Sequence, residues 1–114
     1  MIENYDFGKI VIDGISYTND VIICADKVKG DWWRKSGHYL QLVDIKDVIE
    51  EEEPELVVIG TGKFGVMRVS PEVKQYLENK GIDYVMKSSG KAVDIYNQNR
   101  QKTDKVVGAF HLTC

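Results

Sequence analysis

Two cysteines, two prolines and two histidines are all that this 114-residue chain holds of the residues that most sharply narrow a functional reading. Cys24 lies inside the apolar run Val21-Ile22-Ile23-Cys24-Ala25 and reads as a small core residue. Cys114 is the last residue, nothing requires a bridge between the two, and the pair fits a reducing compartment. His38, His111, Cys24 and Cys114 exhaust the soft ligands, and none stands at paired ligand spacing, so no metal centre is expected. No apolar stretch approaches the ~20 residues that span a bilayer, and Met1-Ile2-Glu3-Asn4-Tyr5-Asp6 lacks the basic-then-apolar order of a signal peptide. The expectation is a soluble, cytoplasmic protein that meets no membrane. The net charge of −3, with both signs spread along the chain, also argues against a nucleic-acid binder, which would carry a basic face. Lys27, Lys29, Arg34 and Lys35 form a local basic cluster that reads as a solvated loop.

What is present is an ordinary globular composition over one domain's length, residues 1–114, large enough for a core without staples. The first third reads as β structure. Residues 7–12 are a strand candidate, Asp13-Gly14 a hairpin turn, residues 15–18 the return strand, Asn19-Asp20 a second turn, and residues 21–25 a third strand. From Asp44, a good N-cap, the period becomes helical through Ile45, Val48 and Ile49. Pro54 stops that helix near Glu53. Leu56-Val57-Val58-Ile59 is then a buried strand, and residues 66–69 are short and extended. Ser70-Pro71 opens a second helix with Val73, Tyr76 and Leu77 inward, and Gly81 ends it. Residues 82–86 form a strand, Ser88 or Ser89 caps a third helix with Ala92, Val93, Ile95 and Tyr96 as its stripe, and residues 106–112 form a last strand. Helical crossovers between apolar strands imply an α/β fold with a largely parallel sheet, helices on it, and the N-terminal antiparallel meander as an added layer or edge.

The strand at residues 56–59 empties into Gly60-Thr61-Gly62-Lys63-Phe64-Gly65, and open α/β sheets bind ligands at such mouths. The letters match a dinucleotide fingerprint, but residues 66–69 separate the glycines from the next helix and the next strand ends at Met86-Lys87 rather than at an acid. A weaker version survives: free backbone N–H groups of residues 61–65, with Lys63 or Arg68 nearby, holding an anion or carboxylate. His111, at the end of a parallel neighbour, belongs at the same rim, and histidine is a residue type that can serve as acid or base. The ligand-binding candidates are therefore Gly60, Thr61, Gly62, Lys63, Arg68 and His111. His111 and Cys114 do not make a nucleophile and base in extended structure, because residues three apart face opposite ways. Trp32-Trp33-Arg34-Lys35-Ser36-Gly37-His38 is the other notable stretch: one tryptophan belongs on the sheet, the other half exposed with Arg34 stacked on it, and Trp33, Arg34 and His38 are interface candidates. No complete catalytic constellation is visible, no cofactor is implied, and an enzyme is not the favoured expectation.

The order Trp33-Arg34, Gly37-His38, then Glu55 through Gly62, then Ala92 with Tyr96-Asn97, then Val106 through Cys114 resembles the small MTH-type domain family. That family includes the human adipogenesis-associated domain protein, with mitochondrial complex I assembly factor 3 as a relative. The resemblance spans nearly the whole chain. It implies a three-layer α/β fold with a mixed central sheet and a β layer from the N-terminal third. It also implies action through protein partners, as in the assembly-factor relatives, whose targeting segments this chain lacks; a stand-alone prokaryotic protein is the expectation. The leading functional expectation is a non-enzymatic protein-binding or assembly-type module, its partner a protein or a second copy of itself. The alternative is a small-molecule or anion site, enzymatic or not, at the Gly60–Gly65 loop beside His111.

Overall fold

The structure is a computed structural model that describes all 114 residues. In chain order the strands are β1 (Ile2–Asp6), β2 (Lys9–Ile12), β3 (Ile15–Tyr17), β4 (Val21–Ile23), β5 (Val28–Lys29) and β6 (Tyr39–Leu40). A 3-10 turn (Leu42–Asp44) leads into α1 (Lys46–Glu52), followed by β7 (Leu56–Thr61), β8 (Arg68–Val69), α2 (Pro71–Asn79), β9 (Asp83–Lys87), α3 (Ser89–Arg100) and β10 (Val106–His111).

The central sheet has five strands in the order β5-β4-β10-β7-β9. β10 pairs parallel with β7, and β7 parallel with β9. β4 pairs antiparallel with both β10 and β5, so it alone runs against the other four. The sheet is mixed: two of its four pairings are parallel and two antiparallel, where a largely parallel sheet was expected. β7 reaches its edge neighbour β9 through α2, and the chain returns over β7 through α3 to β10. Right-handed crossovers in opposite directions put those two helices on opposite faces. One face buries Ile22, Val57, Ile59, Val107 and Ala109 against Ile45, Val48, Ile49, Val73 and Leu77. The other buries Val21, Ile23, Val58, Val106 and Phe110 against Ala92, Val93 and Tyr96 of α3 and against Ile2, Ile10 and Ile12. Those last three belong to a separate antiparallel sheet, β1-β2-β3, which completes the third layer beside α3.

The local signals act as their chemistry requires. Ser70 accepts a hydrogen bond from Glu72 N and Pro71 opens α2. Gly81, at φ 70°, ends it, and Glu53 at φ 47° closes α1 ahead of Pro54. Three expectations shift. Asp44 is not the N-cap of α1: its carboxylate accepts Gln41 N and Lys35 N, closes the 3-10 turn, and the helix starts two residues later. The strand expected at residues 7–12 begins at Lys9, because Phe7-Gly8 is a turn with Gly8 at φ 77°, and a strand precedes it. The third strand of the expected meander, β4, belongs to the central sheet instead. All three of its residues are buried, so both of its faces need covering, and only a central position covers both. No helix is long and apolar enough to cross a membrane.

Candidate functional site

β7 and β10 end side by side, with Gly60 opposite Phe110 and Thr61 opposite His111. The glycine elbow and His111 therefore share one end of the sheet, as expected. The elbow is nevertheless closed by the protein itself. Ser89 Oγ accepts Gly62 N at 2.9 Å and donates to His111 O at 2.6 Å, while Gly62 O accepts Ser89 N at 2.9 Å. Thr113 O accepts Lys63 N at 2.7 Å, Cys114 O accepts Val66 N at 2.9 Å, and Gly62 O accepts Gly65 N at 3.2 Å. Of the amides expected to cradle an anion, those of Gly62, Lys63 and Gly65 are thus spent on Ser89, on the segment that follows β10 and on the elbow's own turn. Gly60 is small because a Cβ there would meet Phe110 and Ser89 Oγ at 2.7 Å. Gly62, at φ 103°, abuts the Cys114 carbonyl, where no side chain fits. Thr61 turns its hydroxyl to Lys87 O, 3.1 Å away. Lys63 points outward to pair with Asp6 at 2.9 Å, and Arg68 is exposed on β8. Of the ligand candidates, only His111 joins a polar cluster.

That cluster is built on Asp20, which enters β4 from the turn after β3. Asp20 Oδ2 lies 2.6 Å from Arg34 Nη2 and 2.7 Å from His111 Nδ1, and Oδ1 accepts Leu112 N at 2.8 Å. The side chains of Arg34, His111 and Asp20 are 3 %, 6 % and 15 % exposed. Arg34 donates to Gly37 O from Nε and from Nη2, closing its own loop. Its guanidinium carbon sits 4.6 Å from the centroid of the Trp32 ring. Trp32 is buried, with Nε1 donating to Asp44 O and its backbone N to Asp20 O. Trp32, not Trp33, is thus the tryptophan on which Arg34 stacks. Arg34 is an internal clamp rather than a contact residue, and its Nη1 is buried without a hydrogen-bond partner.

Oδ2 of Asp20 is the shared acceptor. Guanidinium can only donate, so the 3.1 Å approach of Arg34 Nη2 to His111 Nδ1 follows from that shared oxygen rather than from a bond between them. The hydrogen-bond pattern assigns the His111 proton to Nδ1 and leaves Nε2 as the acceptor in the neutral ring, 3.5 Å from Thr113 Oγ1. Burial alone would raise the pKa of Asp20. The hydrogen bonds from His111, Leu112 N and Arg34, with the charge of a protonated His111, outweigh it and hold the carboxyl below the usual 3.8. The cluster forms the floor of a cleft of about 250 Å³, whose walls include Trp33, Asn19, Gly37 and Thr113.

Trp33 stands at the rim, 78 % exposed. His38 is exposed and packs its ring edge-on to His111, with centroids 5.3 Å apart. Trp33, Arg34, His38 and His111 therefore converge, as residues 61–65 and Arg68 do not. Asp20 and Ser89 are the residues the sequence did not flag. Asp20 sits in Asn19-Asp20, where a turn explains the residue type completely. Ser89 reads only as an alternative helix cap; the cap is Ser88, and Ser89 is the first residue of α3.

The sequence pattern of the family described as protein of unknown function (DUF498/DUF598) matches residues 2–111. The chain belongs to the DUF498/DUF598 family. Solved structures repeat the fold of this DUF498/DUF598 domain. A conserved hypothetical protein, PH1505 from Pyrococcus horikoshii OT3, is similar at TM-score 0.83 and 21% identity, over 100% of this chain and 99% of that one. An outer membrane protein from Bartonella henselae is similar at TM-score 0.83 and 24% identity, over 99% of this chain and 94% of that one. A Bordetella pertussis protein described as a Mth938-like domain is similar at TM-score 0.67 and 16% identity, over 98% of this chain and 85% of that one. The MTH-type resemblance stands. At these identities the likenesses show the fold alone.

Proposed function

We propose that this DUF498/DUF598 domain is a protein-binding, assembly-type module whose contact surface is the rim around Trp33. One observation carries the reading: an indole 78 % exposed stands on a loop that a buried Arg34–Asp20–His111 cluster holds rigid. A pre-ordered aromatic beside a cleft is the usual form of an interface anchor. Holding the loop beforehand lowers the ordering cost of association. The test is affinity purification from native cells with wild-type protein and Trp33→Ala, both shown to be folded. The module reading expects a stoichiometric protein partner that Trp33→Ala loses. An identical set of co-purifying proteins from both would refute it.

A second reading has one observation in its favour. The cleft floor offers His111 Nε2 as an acceptor beside Thr113 Oγ1, in a space of about 250 Å³ that a small polar molecule can enter. Under that reading the ligand sits on the Trp33 side of His111, not in the glycine elbow. Native mass spectrometry of the purified protein would reveal a bound small molecule that His111→Gln releases.

A further inference from the structure

The sheets of this fold end in six strand edges, and five of them are short or covered. β5, β6 and β8 have two residues each and β3 has three. β1 has five, but a bulge between Ile2 and Asn4 breaks its register. The Asn97 side chain then takes both backbone groups of Ile2, accepting its N–H at 2.9 Å and donating to its C=O at 2.8 Å. β9 is the exception. It is five residues long, ends the central sheet, and carries no bulge against β7. Asp83 N donates inward to Glu55 O, and Lys87 O accepts inward from Thr61 Oγ1. Strand alternation therefore turns the N–H and C=O of Tyr84 and Met86 outward, where no further strand meets them.

The side chains along β9 read charge, apolar, apolar, apolar, charge, with Asp83 and Lys87 exposed and Tyr84, Val85 and Met86 half-buried. We infer that β9 pairs antiparallel with β9 of a second copy about a two-fold axis at Val85, joining two five-stranded sheets into one. This register sets Tyr84 opposite Met86 of the second copy as hydrogen-bonded pairs, which satisfies all the outward backbone groups on both chains. It sets Val85 opposite itself and Asp83 opposite Lys87 of the second copy as the intervening pairs, whose side chains approach most closely. Asp83, Val85 and Lys87 share the α3 face, because Val85 is opposite Val58 in the ladder. Each interface thus carries a central valine contact flanked by two opposite-charge pairs. Parallel pairing would instead set Asp83 against Asp83 and Lys87 against Lys87. The contact is isologous, so it closes at two copies. It lies away from the Trp33 rim and does not rest on the reading of that surface.

Sedimentation equilibrium of the full chain tests it, with thermal melts to show that each variant is folded. Wild type is expected to dimerise. Lys87→Glu sets two like-charge pairs across the axis and weakens the dimer by about tenfold or more. Asp83→Lys does the same, and the double variant Asp83→Lys/Lys87→Glu restores wild-type affinity. Trp33→Ala leaves the dimer unchanged. A monomeric wild type, a dimer insensitive to Lys87→Glu, a double variant no better than the singles, or a dimer abolished by Trp33→Ala would each overturn the inference.

Discussion

Replacing Asp20 by alanine removes the one acceptor that neutralises Arg34 and orders His111. In the folded protein a guanidinium 3 % exposed and an imidazole 6 % exposed then lose their shared carboxylate, and Leu112 N loses its acceptor at 2.8 Å. Breaking a buried ion pair from one side costs about 3–5 kcal/mol, because the remaining charge stays desolvated and unpaired. For a domain of this length each kcal/mol moves the melting temperature by roughly 4 °C, so Asp20→Ala should melt about 12–20 °C lower. Glu51 provides the contrast, since its pair with Lys27 leaves its side chain 53 % exposed, and Glu51→Ala should melt close to wild type. Urea unfolding at neutral pH, with the slope unchanged between variants, supplies the free energies directly. The pH dependence adds a second readout. The folded pKa of Asp20 lies below 3.8, so its contribution is complete above that value. It is lost as the pH falls through the lower, native pKa, because the unfolded chain binds the proton first. Asp20→Asn should therefore be less stable at pH 7 and should flatten the acid limb of the stability profile. An Asp20→Ala variant that melts within about 4 °C of wild type, or an Asp20→Asn variant with an undiminished acid limb, would refute the claim that this carboxylate holds the loop.

Ser89→Ala should cost about 2–4 kcal/mol in urea unfolding, because it strands the buried Gly62 N and His111 O together. Gly62→Ala should release the segment after β10 from the elbow, read as faster hydrogen exchange at Lys63 N and Val66 N, since a side chain at φ 103° meets the Cys114 carbonyl. Trp33→Ala should change the unfolding free energy by no more than about 0.5 kcal/mol, as a residue exposed to this degree contributes little to the fold. Tyr96, whose pKa burial pushes up to about 12, should stay un-ionised in ultraviolet titration until the protein unfolds.

The α/β class was legible because each signal carries its own physics. Val57, Val58 and Ile59 form an apolar run with no polar alternation, which only a strand covered on both faces can use. Ser70-Pro71 and Gly81 mark the ends of α2 by hydrogen-bonding and φ requirements that operate locally. The placement of β4 was not legible, because a three-residue apolar strand fits a meander or a central sheet equally well until its neighbours are known. β1 went unread for a related reason: Ile2 is its only buried residue, so the alternation that betrays a half-buried strand is missing.

The site divided along the same line. Trp33, Arg34, His38 and His111 were readable as unusual residue types in irregular or terminal positions, and they do converge. Their organising residue, Asp20, was not, because a turn accounts for an aspartate and its three partners come from positions 34, 111 and 112. The glycine elbow misled in the opposite sense. Its small residues answer to Phe110, Ser89 and Cys114 rather than to a ligand, and only long-range packing distinguishes those needs.

Trp33 itself offers the most direct test of the account. Iodide quenching of tryptophan fluorescence separates it from Trp32, which is 7 % exposed against 78 %. In the free protein one indole should be quenched and the other silent. In a complex with a protein that co-purifies with wild type and not with Trp33→Ala, quenching of Trp33 is expected to disappear while the protein remains folded. Equal quenching of Trp33 in the free and complexed states would contradict it.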